Sequence, residues 1–402
     1  MSEKYIRFEN VGKEAYIRKD ALKQLKKVNA AIFDCDGVLL DIRESCNRTI
    51  IETVAYIIEE LTGFAFPKNI ISKETIYLFK KSGGYNNDWD LAYAILMFLL
   101  YKLPKKARNA LVESLNTSVK PRDNLLERFL SIKSTTMKKL TFKEFDNVVI
   151  GIEDALKSFA EMANASDIAS LENALKNYSP TSDSQDFYVA AKRFLSYPSG
   201  VYESFLVRVF EEIFCGPQLF KEMYKVEPLF YHWGGLVENE RVILQSETLD
   251  ELTLLFGKAN FGVSSGRPFK LAKYKLDGLL EKFSRRALVF LDETMLVKSK
   301  ALKNGESEIS LYKPNPFSLL KSSDGLEPFE FALYVGDSME DALMVKEANK
   351  VKPCFLFAGV YEYSDCKNDN LRNFIEANSE VVVPSVNELP MVLKAVKEVK
   401  QA

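Results

Sequence analysis

Histidine is almost missing from this chain: His232 stands alone among 402 residues. Its rarity excludes any multi-histidine zinc or iron site and allows at most one histidine-based triad, so carboxylates or lysines must carry any proton transfers. Beside Trp233 and Gly234-Gly235, His232 itself reads as a packed surface or hinge residue. Cysteine is sparse too, and Cys35, Cys46, Cys215, Cys354 and Cys366 are odd in number with no CxxC spacing. That argues against a disulfide framework and a structural zinc, and fits a reducing, cytoplasmic setting. Charge of one sign is lacking as well: 54 Lys+Arg face 56 Asp+Glu, and a net charge of −2 leaves no electrostatic footprint for nucleic acid. The longest apolar run, Leu91 to Tyr101, falls well short of the roughly 18 to 20 residues that span a bilayer and reads as a buried helix. The start, Met1-Ser2-Glu3-Lys4, has no apolar core, so no signal peptide is expected. There is no internal repeat and no low-complexity tract. These absences point to a small-molecule partner, with neither nucleic acid nor membrane. A monomer or homodimer is expected.

What is present is the composition of a globular protein, 47% hydrophobic and 27% charged. The length exceeds one ordinary core of roughly 100 to 200 residues, so two domains, or one domain with a large insertion, are expected. Short apolar runs at Asn29–Phe33, Asn260–Val263, Ala287–Leu291, Phe331–Val335 and Cys354–Phe357 alternate with helical patterns, which predicts a parallel sheet flanked by helices. Between the first run and the second lies a stretch of 3.6-residue periodicity. Ile50, Ile51, Val54, Ile57, Ile58 and Leu61 share one helical face, and Phe205, Val207, Val209, Phe210 and Ile213 belong to another apolar helix. Turn signals at 82–84, 177–180 and 197–200 punctuate this helical insertion. The first 28 residues are expected to be an extension packed beside the core.

Four signals carry chemistry. Asp34-Cys35-Asp36-Gly37 follows the first strand, with two carboxylates at i and i+2 and a glycine that permits a tight path. Alone, such a pair is as well read as an acidic turn capping a helix. Val263-Ser264-Ser265-Gly266-Arg267 follows the second strand, where hydroxyl and backbone N–H groups suit an anion or simply make a turn. Lys313 sits between Tyr312 and Pro314-Asn315-Pro316, a cation on a restrained loop or a plain surface lysine. Gly336-Asp337-Ser338-Met339-Glu340-Asp341 again follows a strand, with two acids one helical turn apart and a helix-capping role open to Asp337.

Their order (acid pair, hydroxyl, lysine, acid pair) resembles the haloacid dehalogenase (HAD) superfamily of phosphohydrolases, over roughly residues 29–44 and 255–365. The insertion resembles the cap of the phosphoglycolate-phosphatase-like branch. Lys80 to Asp90, with Glu238-Asn239-Glu240, is similar to a subgroup of uncharacterised members of that branch. The resemblance implies an α/β fold: a Rossmann-like parallel-sheet core formed by 1–44 and 240–402, and an all-helical cap at 45–239 that opens and closes around hinges near 41–45 and 236–245. It implies a Mg²⁺-dependent phosphatase acting on a small phosphorylated metabolite through an aspartyl phosphate. In that scheme Asp34 is the nucleophile and Asp36 the general acid and base. Ser265 holds a phosphoryl oxygen, and Lys313 offsets charge. Asp34, Asp337 and the backbone carbonyl of Asp36 hold the metal, with Asp341 behind them. Ser264 is the alternative to Ser265; Lys298, Lys300 and Lys303 lack the KPxP context of Lys313. Gly266, Arg267, Asn86, Asn87, Trp89 and Arg43 are candidate substrate contacts, although Asn86, Asn87 and Trp89 also fit a helix-connecting turn, and Arg43 and Arg48 also fit exposed helix arginines. Cys35 is expected to face the core. A phosphomutase with the same core, or a catalytically silent metabolite-binding relative, stays open.

Overall fold

The structure, a computed structural model, describes residues 4–10, 13–81, 87–117, 124–136, 139–162, 171, 173–175, 182–303 and 310–398. The chain divides into two compact units, 1–42 with 240–402, and 43–239.

The discontinuous unit is a mixed α/β body around an eight-stranded, mostly parallel sheet. Its strands are β1 (Tyr5–Asn10), β2 (Lys13–Arg18), β3 (Val28–Phe33), β6 (Phe261–Ser264), β7 (Leu288–Val289), β8 (Phe331–Gly336), β9 (Phe355–Val360) and β10 (Val381–Val383). Two short strands, β4 (Leu40–Asp41) and β5 (Arg241–Val242), pair antiparallel in a separate ribbon. The main order is β1-β2-β10-β9-β8-β3-β6-β7. From β3 the chain builds outward through β6 and β7, then returns to β3's other side for β8, β9 and β10. The reversal between β3 and β8 is the place where open parallel sheets form a ligand crevice at the carboxyl ends of their strands.

The sheet is covered on both faces, which explains why its strands read as unbroken apolar runs. Alternate residues enter opposite clusters: Ala31, Phe33, Leu333, Val335, Leu356 and Ala358 on one face, and Ala30, Ile32, Ala332, Tyr334, Phe355 and Phe357 on the other. The amino-terminal extension differs from expectation. It forms an antiparallel hairpin, β1 and β2, that joins the sheet through Ile17 opposite Val381 and Tyr16 opposite Val382. Ala15 and Ile17 are buried, so one face of β2 is core. The run 287–291 gives only a two-residue edge strand, because a helix starts at Leu291 with Asp292 and Glu293 in its first turn, where acids favour a helix start.

In the second unit every described element is helical. Helix Asp88–Lys102 is buried all round from Leu91 to Tyr101, with Phe98 stacked on Phe159 at 4.7 Å. Helix Cys46–Thr62 buries Ile50, Val54, Ile57, Ile58 and Leu61 and leaves Ile51 half-buried. Helix Phe205–Tyr224 breaks at Gly216, where φ is +69° and a Cβ would lie 2.5 Å from the Gly235 nitrogen. Inside that helix the carboxylate of Glu212 accepts the backbone N–H groups of Leu229, Phe230 and Tyr231 at 2.8, 2.7 and 3.0 Å and pairs with buried Arg208. Among the described residues no helix is long and apolar enough to cross a membrane.

Candidate active site

The backbone N–H of Asp34 donates to Val335 O at 2.9 Å, extending the β3–β8 ladder one residue past β3. The chain then turns sharply: the N–H groups of Leu39 and Leu40 donate to Cys35 O at 2.7 and 3.0 Å, and that of Gly37 donates to Leu40 O at 2.8 Å. Gly37 adopts φ +74°, and a Cβ there would lie 2.1 Å from Asp337 Oδ2. Glycine is therefore required twice, for its backbone and for the approach of the second acidic loop. Cys35 points into the core, and burial pushes its thiol well up.

Asp34, Asp337 and Asp341 bring carboxylate oxygens within 4.8 Å of one another. Lys313 bridges two of them, with Nζ 2.7 Å from Asp34 Oδ2 and 2.7 Å from Asp341 Oδ1, and lies 5.6 Å from the centre of the Tyr334 ring. Burial pushes Asp34 up to about 6, against the pull of Lys313 and with further push from Asp341 and Asp36. Asp337 is raised well above the carboxylate range by burial, then by Asp341 and Asp34. Burial works to lower Lys313, yet Asp34 and Asp341 hold it well above its ordinary value. Lys313 is thus charged, and the acids are short of positive charge.

Asp341 differs from its neighbours. It is wholly buried, its Oδ1 receives Lys313 and lies 3.0 Å from the Tyr334 hydroxyl, and its Oδ2 accepts the Ser338 N–H and hydroxyl at 3.1 and 2.8 Å. Ser338 in turn caps helix Met339–Val351. Both oxygens of Asp341 are engaged, whereas Asp337 stays half-buried. The helix cap predicted as an option for Asp337 belongs to Ser338 and Asp341.

The two serines separate by direction. Ser264, inside β6, is buried with its hydroxyl 2.9 Å from that of Ser318. Ser265 anchors its N–H to Val289 O at 3.0 Å, and its Oγ accepts the Arg267 N–H at 3.3 Å. Gly266 beside it is exposed, with open space where a side chain would stand. Arg267 is 4% exposed; Nη1 lies 2.7 Å from Asp36 Oδ1 and Nη2 2.5 Å from Glu240 Oε2.

The remaining candidates lie in the helical unit. Asn87 caps helix Asp88–Lys102 by accepting the Trp89 N–H at 2.9 Å. The Trp89 indole N–H donates to buried Glu211 at 2.8 Å. Burial raises Glu211 while Tyr224, Trp89 and Cys215 oppose the rise by hydrogen bonding. Arg43 is half-buried, Arg48 pairs with Glu52 at 3.7 Å, His232 is exposed, and Asn86 lies outside the described residues. Sequence reasoning named Glu240 only within Glu238-Asn239-Glu240 and gave it no role, and it did not reach Tyr334 or Asn370, whose Nδ2 donates to Asp337 O at 3.0 Å. The Ser338-x-x-Asp341 spacing was a readable cap signal. Nothing local marks Asn370.

No protein-family model matches the chain, and no curated protein matches it. Among solved structures, the X-ray structure of a Northeast Structural Genomics Consortium target is similar, with a TM-score of 0.57 and 18% identity over 92% of this chain and 100% of that one. At that identity the likeness speaks to the fold alone. A phosphatase from Thermococcus thioreducens also aligns, with 18% identity over 86% of this chain and 98% of that one, but a TM-score of 0.45 is too loose to bear on function.

Proposed function

We propose that this chain is a Mg²⁺-dependent phosphatase of the HAD type, hydrolysing a small phosphorylated metabolite, with unit 43–239 as its cap. The observation that carries this reading is the lysine-bridged cluster of Asp34, Asp337 and Asp341 at the carboxyl ends of β3 and β8.

The donor set fits a hard divalent cation: only oxygens are offered, and three carboxylates against one ammonium leave negative charge to balance. Asp34 and Asp337, with the Asp36 carbonyl, would hold the ion, while Asp341 is engaged by Lys313, Tyr334 and Ser338. When bound, it supplies charge neutralisation for a phosphate dianion.

The remaining chemistry belongs to the chain. An Asp34 oxygen attacks phosphorus as the bond to the leaving oxygen breaks, and Asp36 gives that oxygen its proton. Water then attacks the aspartyl phosphate, Asp36 takes the water's proton, and phosphate leaves with Asp34 restored. Because the Ser265 Oγ already accepts the Arg267 N–H, its own hydrogen is directed to a phosphoryl oxygen. Lys313 offsets the charge on Asp34 and the phosphoryl group. Phosphate release from a panel of esters, with and without Mg²⁺, tests the reading. Turnover is expected for wild type with metal and absent in Asp34→Asn; equal activity of the two proteins rejects it.

A further inference from the structure

Arg267, a candidate substrate contact by sequence, has its guanidinium engaged elsewhere. It is 4% exposed, and its two terminal nitrogens meet different carboxylates, Asp36 at 2.7 Å and Glu240 at 2.5 Å. The Glu240 side chain is fully buried, and a buried charge is tolerated when a partner of good geometry meets it. A guanidinium fork is rigid and planar, so fixing one edge fixes the direction of the other. The second anchor matters for what it prevents. An unconstrained arginine grips a carboxylate with both nitrogens and both oxygens. Here Glu240 occupies Nη2, so Arg267 meets Asp36 through Nη1 and Oδ1 alone, leaving Oδ2 for a travelling proton. Both carboxylates are tied to one ribbon: Glu240 directly precedes β5, which pairs with β4, and Asp36 bridges to Leu40 of β4.

We infer that Arg267, braced by Glu240, is a positioning residue that aims Asp36 at the leaving oxygen of the substrate. The inference rests on the phosphatase reading for the role of Asp36. It assigns Arg267 no contact with substrate, and so separates it from Ser265 and Lys313.

Leaving-group dependence tests it. Departure of an alkyl alcohol needs a proton from Asp36, whereas departure of a nitrophenolate does not. Removing the two charges together, Arg267→Met with Glu240→Met, avoids stranding either one buried. Circular dichroism and melting check that the double variant is folded. Its kcat/KM for an alkyl phosphate is expected to fall about 100-fold or more, as for a lost general acid, but by less than about tenfold for p-nitrophenyl phosphate. The steady-state kcat falls for both esters, because Asp36 also activates the water of the second step. Glu240→Gln is expected to shift the ratio between esters in the same direction. Equal falls in kcat/KM for both esters, or no change, overturn the inference, since lost substrate binding and general damage to the fold do not discriminate by leaving group. Crystal structures of wild type and Arg267→Lys give a reading without turnover: the Asp36 carboxylate should move beyond the tolerance of about 0.5 Å for a catalytic group. An unmoved Asp36 overturns the inference. If wild type hydrolyses neither ester, the phosphatase reading fails and the positioning role is decided by those coordinates.

Discussion

Replacing Asp34 with Asn should make the metal-free protein more stable at neutral pH while abolishing turnover. Burial, with Asp341 and Asp36 adding to it, lifts the Asp34 carboxyl from 3.8 to about 6 despite Lys313 at 2.7 Å. The folded state then binds more protons than the unfolded chain between pH 4 and 6, so stability falls as pH rises through that window and the whole penalty stands at pH 7. A rise of about 2 pKa units corresponds to about 3 kcal/mol. Asparagine does not ionise, so the variant escapes this penalty and loses about 1 kcal/mol for a weakened contact to Lys313. Lys313 is not stranded, since Asp341 remains at 2.7 Å. The expected gain is therefore about 2 kcal/mol at pH 7, read as a rise in Tm of about 4–8 °C for a unit of this size. Calorimetric melts in EDTA from pH 4 to 7.5 provide the check. The wild-type Tm should fall across pH 4 to 6 relative to the variant, and the two curves should meet or cross near pH 4. Saturating Mg²⁺ should raise wild type by about 2.7 kcal/mol at 100 times Kd and leave the variant behind. A variant less stable than wild type at pH 7 in EDTA, or one with the same pH slope, refutes the reasoning.

Two other substitutions probe how the structure is held. Gly37→Ala confronts a positive φ, costing about 1–2 kcal/mol, and a collision with Asp337 Oδ2 at 2.1 Å. A lowered Tm with loss of phosphate release is expected, and full activity with Asp337 unmoved in a crystal structure contradicts it. In the helical unit, Glu212→Gln leaves Arg208 buried without its carboxylate and weakens the hold on Leu229, Phe230 and Tyr231. The cost should be about 3–5 kcal/mol in denaturant unfolding, and a loss below about 1 kcal/mol would show the pair to be dispensable.

The parts legible in the sequence are those encoded locally. The runs leading into Asp34, Ser264 and Asp337 are strands because burial on both faces leaves them continuously apolar. The hairpin β1 and β2 escaped notice because strands facing the core on one side only are rich in Lys and Glu, as in Lys13-Glu14-Ala15-Tyr16-Ile17-Arg18, whose alternation buries Ala15 and Ile17. Val381–Val383 was missed for its shortness, although Pro384-Ser385 beyond it is a turn signal. Asn87 and Trp89 show the opposite difficulty. Amide and aromatic groups at a loop suit a substrate and a helix start equally, and only the distances, 2.9 Å for the cap and 2.8 Å to Glu211, reveal structural work.

Long-range partners explain the rest. Asp337 and Asp341 are indistinguishable in sequence as acids one turn apart, yet one stays half-buried beside Gly37 and the other is enclosed by Tyr334, Ser338 and Lys313. Lys313, 28 residues before Asp341, supplies the long-range part of that difference, which decides which carboxylate has oxygens to offer a cation. The same crowding raises Asp34 and Asp337 together, so the acids are held close at a cost in stability that the surrounding sheet must absorb. Such a cluster has little value as architecture, because apolar residues would fill the crevice more stably. Its placement at the β3–β8 reversal, with one lysine supplied and negative charge left over, is the physical argument for a ligand that brings positive charge.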